Sequence, residues 1–226
     1  MADTFPGPVS MAISLAYRID PSVGKAVEQT LKGYWGDPPA IREHAQQWTA
    51  LAVDIENSRG EIEREVSRIG QHWEGPAKDA YVNWMKSLNE ESISVLGKQC
   101  RAVSGIITSV AGDVSAMNGE ITKLCSWFVG IVIGILFKSA AAKVAAAAAA
   151  TGFLDKLSEL NNSYVHKLEP RTAEIDQIIT EIDHGIIGRM VQHGPDMNHP
   201  FPHQSREFAD SYKWNVIGDW RKWRYS

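Results

Sequence analysis

The chain has 226 residues, of which 44% are hydrophobic and 22% are charged, and its formal net charge is −4. These values are typical of a folded globular protein, and the acidic balance excludes a globally basic nucleic-acid-binding protein. Two cysteines are too few for a disulfide-built scaffold and exclude a CxxC metal or redox motif.

The first 36 residues predict a short helical segment. Met1–Ser10 contains no basic residue and no long apolar run, so it does not resemble a secretory signal peptide. We therefore expect any export to be leaderless. An amphipathic helix follows, Pro21 interrupts it, and a second short helix is predicted over residues 23–31.

A long helix is predicted to begin at Asp37, because an aspartate N-cap followed by Pro38 at the first helical position favours helix initiation. Apolar residues then recur alternately four and three positions apart, interrupted only by Arg59. This heptad seam predicts lengthwise packing against a long antiparallel helix, with charged residues on the solvated face. The seam comprises Ile41, Ala45, Trp48, Ala52, Ile55, Ile62, Val66, Ile69 and Trp73.

A Gly-Pro pair at residues 75–76 ends this helix and begins a second one with its own apolar seam. The spacing alternates between four and three from Leu96 to Leu124, but two four-residue steps follow each other between Leu88 and Leu96. This irregularity is a stutter, which changes the local winding of a coiled coil. Two long seams joined by a tight turn predict an antiparallel helical hairpin over residues 37–124.

Residues 126–150 form an apolar block that passes into an alanine-rich run. A membrane-spanning helix needs about 20 apolar residues. The block reaches that length only by including Lys138 and Lys143, which are costly inside a bilayer. Two interpretations stay open, a buried or self-associating helix end and a membrane-active segment. The candidate membrane residues are Trp127, Phe128, Ile131, Ile133, Ile135 and Phe137.

The rest of the chain predicts a further helix and a tail. The apolar block and this helix together make a third unit, residues 125–190, that is expected to pack on the hairpin. Residues 191–226 are rich in Pro, His and Trp without a period, which predicts an irregular tail. Its last fifteen residues interleave aromatic and basic side chains. That pattern suits a membrane interface, single-stranded nucleic acid, a partner groove, or tryptophans that fold back on helix seams of the same chain.

No alternating strand pattern occurs in the first 190 residues, so the predicted fold class is all-α. Between the two long helices lies the run Trp73-Glu74-Gly75-Pro76-Ala77, followed by Tyr81 and Trp84. This run resembles the WXG superfamily of helical-hairpin proteins exported by type VII (ESX) secretion systems. The resemblance covers residues 37–124, under half of the chain. The residues singled out are Trp73 and Gly75 at the turn. Trp73 is also a candidate core or interface anchor, together with Trp48, Tyr81 and Trp84.

The resemblance implies a non-enzymatic interaction protein that pairs its hairpin with a homologous hairpin or with a second copy of itself. It also implies a secreted or envelope-associated location; otherwise we expect a cytoplasmic protein. Two features depart from the family. The chain is about twice the usual family length, and no tyrosine has an acidic residue four positions later, so the export signal would come from a partner.

The physical role of these motif residues does not depend on membership of the family. Gly75 permits the positive φ that a tight turn needs, and Trp73 can pack on Ala77 and Tyr81 as the chain reverses. In another kind of antiparallel coiled coil, the same residues would be turn and core residues only.

No sequence motif points to catalysis. The chain lacks GxSxG, P-loop, HExxH and dinucleotide-binding patterns, so we predict no enzymatic activity, no cofactor and no small-molecule substrate. The histidines at positions 184, 193, 199 and 203 fit no standard zinc spacing. Cys100 lies on the second seam, whereas Cys125 could cross-link two copies. The alternatives to an interaction module are a membrane-active protein acting through residues 126–150 and an effector with activity in the C-terminal segment.

Overall fold

A computed structural model describes residues 5–136 and 142–187 of the chain. Within these ranges every regular element is a helix, which confirms the predicted all-α class. The predicted irregular tail lies outside the described residues. Two π-helical segments, Leu88–Ile93 and Glu181–Ile187, join α4 to α5 and extend α6. The α-helices are α1 (Gly7–Ile19), α2 (Pro21–Tyr34), α3 (Pro38–His72), α4 (Pro76–Ser87), α5 (Ser94–Leu136) and α6 (Ala142–Thr180).

Two aspartates start the second and third helices in the same way. Asp37 Oδ1 accepts a hydrogen bond from the backbone N–H of Ala40 at 3.1 Å, as the predicted N-cap requires. Asp20 caps α2 by accepting from the backbone N–H of Ser22 at 2.7 Å. Because Asp20 follows directly on the last residue of α1, α1 and α2 form a tight helical pair.

The chain passes from α2 into α3 through a close contact with α5. The side chain of Asn118 makes two hydrogen bonds with the backbone of Gly36. Its Nδ2 donates to the Gly36 carbonyl at 3.0 Å, and its Oδ1 accepts from the Gly36 N–H at 3.3 Å. A Cβ atom on Gly36 would lie 2.3 Å from Cγ1 of Val114. Only glycine therefore fits where this junction meets α5.

Small residues set the closest approach between α3 and α5. Ala45 and Ala52 of α3 are buried, and a Cβ atom on Gly97 of α5 would contact α3. The Ser104 hydroxyl donates to the Ala45 carbonyl at 2.8 Å, which ties the two helices together inside the seam. The predicted anchor Trp48 is only half-buried. Alanine, serine and glycine therefore form the centre of this interface.

The π-helical segment Leu88–Ile93 coincides with the stutter predicted between residues 88 and 96. A π-turn accommodates more residues per turn than an α-turn, so it absorbs the extra spacing without breaking the helix. The antiparallel pairing holds through the segment, since Asn89 Nδ2 donates to Glu63 Oε1 of α3 at 3.0 Å. The sequence pattern located this irregularity but did not predict its π geometry.

The principal core, here called the packed end, lies where α1, α2, the second half of α5 and the first half of α6 meet. The rings of Phe128 and Phe153 stack there with centroids 4.6 Å apart, and both side chains are fully buried. The short helices that precede the hairpin supply much of this core. Their fully buried residues are Val9, Ala12, Ala16, Val27 and Leu31.

The apolar block at residues 126–150 is described in two parts, residues 126–136 and 142–150. These parts belong to two helices, α5 and α6, which run antiparallel, since Phe153 stacks on Phe128 and Glu181 hydrogen-bonds Gln99. Among the described residues, no helix is both long and apolar enough to cross a bilayer. This finding does not support the membrane-active interpretation of the described parts of the block. Phe128 is buried, Ile131 and Ile135 are half-buried, Trp127 and Ile133 are exposed, and Phe137 lies outside the described residues.

Asp113 of α5 fixes α6 along the middle of the molecule. Lys167 Nζ lies 2.8 Å from its Oδ1, and Arg171 Nη1 lies 2.8 Å from its Oδ2. Arg171 also hydrogen-bonds the Ser109 hydroxyl. The Asp113 side chain is only 13% exposed, so the two cations compensate a largely desolvated carboxylate. The middle of the molecule is therefore a three-helix layer of α3, α5 and α6.

Candidate functional site

Residues 59–91, here called the arm, form the end of the hairpin remote from the packed end. Within the described ranges, α4 makes its main contacts with α3 and the π-helical segment. No residue of α4 is buried, and Val66 and Asn89 are the buried side chains that the structure describes in the arm. Two packed helices share one seam, so the other apolar side chains of the arm are half-exposed.

The turn of the arm is formed by the Trp-Glu-Gly run at residues 73–75, where the sequence analysis placed it. The Trp73 N–H donates to the Ile69 carbonyl at 3.0 Å and closes α3. Gly75 follows with φ of 105°, and no other described residue has a positive φ. Its carbonyl accepts from the Lys78 N–H at 3.0 Å and starts α4. Gly75 thus supplies a backbone conformation that side chains with a Cβ atom rarely adopt.

An aromatic cluster, Trp73, Tyr81 and Trp84, lies beside this turn. The ring centroids of Trp73 and Tyr81 are 5.9 Å apart, and those of Tyr81 and Trp84 are 6.2 Å apart. All three side chains are half-buried. Trp48 does not join them, because 25 residues of helix separate it from Trp73 by about 37 Å. The structure thus brings together three of the four predicted anchors.

A groove of about 160 Å³ lies between α3 and α4 in the arm. Its floor includes Asn89, whose side chain is 4% exposed and whose Oδ1 has no hydrogen-bond partner among the described residues. Buried acceptors in native proteins normally have a donor, so this unpaired carbonyl is an exception in the arm. No sequence pattern predicted the groove, although the stutter begins beside it at Leu88. The lining residues are Ile62, Glu63, Val66, Ser67, Met85, Lys86 and Asn89.

Charges of both signs surround the apolar residues of the arm. It carries five Lys or Arg residues and seven Asp or Glu residues. Ion pairs join Arg59 to Glu63 at 3.1 Å and Arg68 to Glu65 at 2.7 Å, and all four side chains are at least 40% exposed. Pairs this exposed add little stability. An apolar strip between mixed charged rims is suited to contact with another helix rather than with a polyanion.

Neither cysteine is accessible for cross-linking. Cys100 and Cys125 are both unpaired and buried. Burial raises the pKa of the Cys125 thiol to about 12 and also raises the pKa of Cys100. The predicted cross-link of two copies through Cys125 is therefore wrong for the native fold, because its sulfur lies inside the packed end.

The described residues contain no group of three or more His, Cys, Asp or Glu side chains that could hold a metal ion. His184 is exposed on the second π-helical segment, and the histidines at positions 193, 199 and 203 lie outside the described residues. No protein-family model matches the chain, and neither a curated protein nor a solved structure matches it. The arm is therefore the candidate site on geometry alone.

Proposed function

We propose that this protein is a non-enzymatic interaction module that pairs its hairpin with a second helical hairpin, from another copy of this chain or from a homologous protein. The observation that carries the proposal is the half-buried aromatic cluster on an arm with few buried side chains. Aromatic side chains contribute most to binding when a partner completes their burial.

A second hairpin suits the shape of the arm. Two helices that share one seam can pack against two more, and the product is a four-helix bundle with a central core. The charged rims of the arm carry both signs, which favours register and partner choice over bulk electrostatic attraction. The arm therefore offers the features that hairpin pairing needs.

The resemblance to the WXG superfamily supports the same proposal. The Trp73-Glu74-Gly75 run lies between two antiparallel helices, and Gly75 has the turn conformation that the motif requires. We therefore propose leaderless export through a type VII-like system as the accompanying localisation. Because no tyrosine in the chain has an acidic residue four positions later, the partner hairpin would supply that signal.

Sedimentation equilibrium of the full-length protein tests self-pairing. We expect the wild type to associate, and the double variant Trp73→Ala/Trp84→Ala to associate on the order of 100-fold more weakly. Trp127→Ala is the matched control, because this indole is exposed at the packed end. Equal association of the double variant and the wild type, with helicity unchanged, would contradict pairing through the arm.

A further inference from the structure

Helix α4 does not face α3 with the residues that a continuous α-helix would present. Ser104 and Gly97 of α5 both lie against α3. That face can be followed back toward α4 at about 3.6 residues per turn, which leads to five positions. Three of the five carry charged side chains, so a continuous helix would turn charges into the seam. The five residues are Ile93, Glu90, Lys86, Val82 and Asp79.

The structure instead turns the preceding residues of α4 toward α3. Tyr81 and Met85 are half-buried, and each precedes by one residue a position that a continuous helix would present. The three charged residues are exposed. An offset of one residue is a rotation of about 100° about the helix axis. The π-helical segment Leu88–Ile93 supplies this rotation, because a π-turn holds about one residue more than an α-turn.

The π-helical segment is tied to α3 by a hydrogen bond across the seam. No residue of α4 is buried, so the packing of α4 alone fixes its rotation weakly. Within the π-helical segment, Asn89 and Ser92 are buried. Asn89 Nδ2 donates to Glu63 Oε1 at 3.0 Å, and Arg59 Nε donates to the same oxygen at 3.1 Å. Because two donors hold this oxygen, it is a fixed point on α3 for the Asn89 side chain.

Asparagine at this buried position lowers stability. The Asn89 side chain is 4% exposed, and its Oδ1 has no hydrogen-bond partner among the described residues. A buried acceptor without a donor is unfavourable compared with an apolar group of the same shape. A buried asparagine in a coiled coil can instead specify the register of the helices. From the rotation, the burial and the bond to Glu63, we propose that Asn89 is a positioning residue that holds the π-turn and thereby orients α4 on α3.

The orientation of α4 decides where the aromatic cluster lies. The rings of Trp73 and Tyr81 now have centroids 5.9 Å apart. A rotation of α4 by about 100° would carry Tyr81 away from Trp73 and would turn Lys86 toward α3. This role of Asn89 goes beyond hairpin pairing and holds whether or not two chains associate. Only the presentation of the cluster to a partner rests on the proposed function.

Nuclear Overhauser effects between the ring protons of Trp73 and Tyr81, measured in the full chain, test the proposal. We expect Asn89→Leu to lose this signal without a lower thermal midpoint, because leucine fills the buried position but cannot bind Glu63. Asn83→Leu is the matched control, since Asn83 is exposed on α4, and it should keep the signal. A folded Asn89→Leu variant that keeps the wild-type signal would overturn the proposal.

A second pair of variants tests the same bond from α3 and decides the matter if Asn89→Leu does not fold. Glu63→Gln keeps an acceptor for Asn89 Nδ2 and should retain the ring signal, whereas Glu63→Leu should lose it. The proposal is overturned if Glu63→Leu retains the signal or if Glu63→Gln loses it. The signal joins two residues of one chain, so this result is independent of whether sedimentation detects association.

Discussion

The packed end and the arm contain similar apolar residues but bury them to different extents. At the packed end four helices meet, and side chains as large as Phe128 and Phe153 are fully buried. In the arm two helices meet, and the aromatic cluster is half-buried. The number of helices packed around an apolar seam determines how much of the seam's surface is buried from water. The packed end therefore supplies stability, whereas the arm keeps apolar surface available for another chain.

The largest expected effect is at the packed end. Phe153→Ala should lower the free energy of unfolding by about 3–5 kcal/mol, because it removes a fully buried ring that stacks on Phe128. Chemical denaturation followed by circular dichroism measures this loss. Trp127→Ala, which removes an exposed ring from the same region, should cost less than about 1 kcal/mol. Similar losses for the two variants would contradict the burial assigned to Phe153.

The middle layer should respond less strongly. Asp113→Ala leaves Lys167 and Arg171 without their shared carboxylate and should cost about 1–3 kcal/mol, with faster amide exchange in α6. As a control, Glu120→Ala removes an exposed ion pair with Lys123 and should cost at most about 1 kcal/mol. If the two variants lose the same stability, the salt bridge of Asp113 does not hold α6 on α5.

The arm should show a smaller and local effect. Gly75→Ala places a Cβ atom at φ of 105° and should cost about 1–2 kcal/mol, with faster exchange in α4 and unchanged exchange at the packed end. Gly60→Ala is a sharp control, because Gly60 lies inside helix α3 with no atom within 4 Å of a Cβ. That variant should gain about 0.4–1 kcal/mol. Two losses of equal size would contradict the turn conformation of Gly75.

A thiol reagent should not modify Cys125 in the native protein. A maleimide should leave this residue unmodified near pH 8, and should react with it once denaturant unfolds the packed end. Burial raises the pKa of this thiol from 9.0 to about 12, so its contribution to stability is complete below pH 9 and is lost as the pH rises toward 12. Mass spectrometry measures the labelling. Rapid labelling of native Cys125 would mean that the packed end opens readily.

Local sequence signals predicted the parts of the fold that depend on local chemistry. Asp37 and the proline after it begin α3, the turn lies at residues 73–75, and the stutter coincides with the π-helical segment. Each signal depends on a few neighbouring residues whose backbone preferences or spacing are strong. The hairpin was predictable for this reason.

Contacts between distant segments were not predictable from local patterns. The interface of α3 and α5 centres on Ala45, Ala52 and Ser104, because small residues allow close approach although their hydrophobic signal is weak. A heptad pattern also does not predict how many helices will pack around the apolar seam. Trp48 and the aromatic cluster were therefore predicted as anchors on the same grounds, although they lie far apart and are half-buried.

Native-state hydrogen exchange of the full chain most directly tests the separation between the packed end and the arm. We expect amides of residues 76–91 to exchange through local openings whose free energy lies well below that of global unfolding. Amides of residues 121–132 and 146–157 should exchange only through global unfolding, since these segments form the packed end. A single opening free energy shared by all three segments would contradict this separation, because the arm would then be as stable as the packed end.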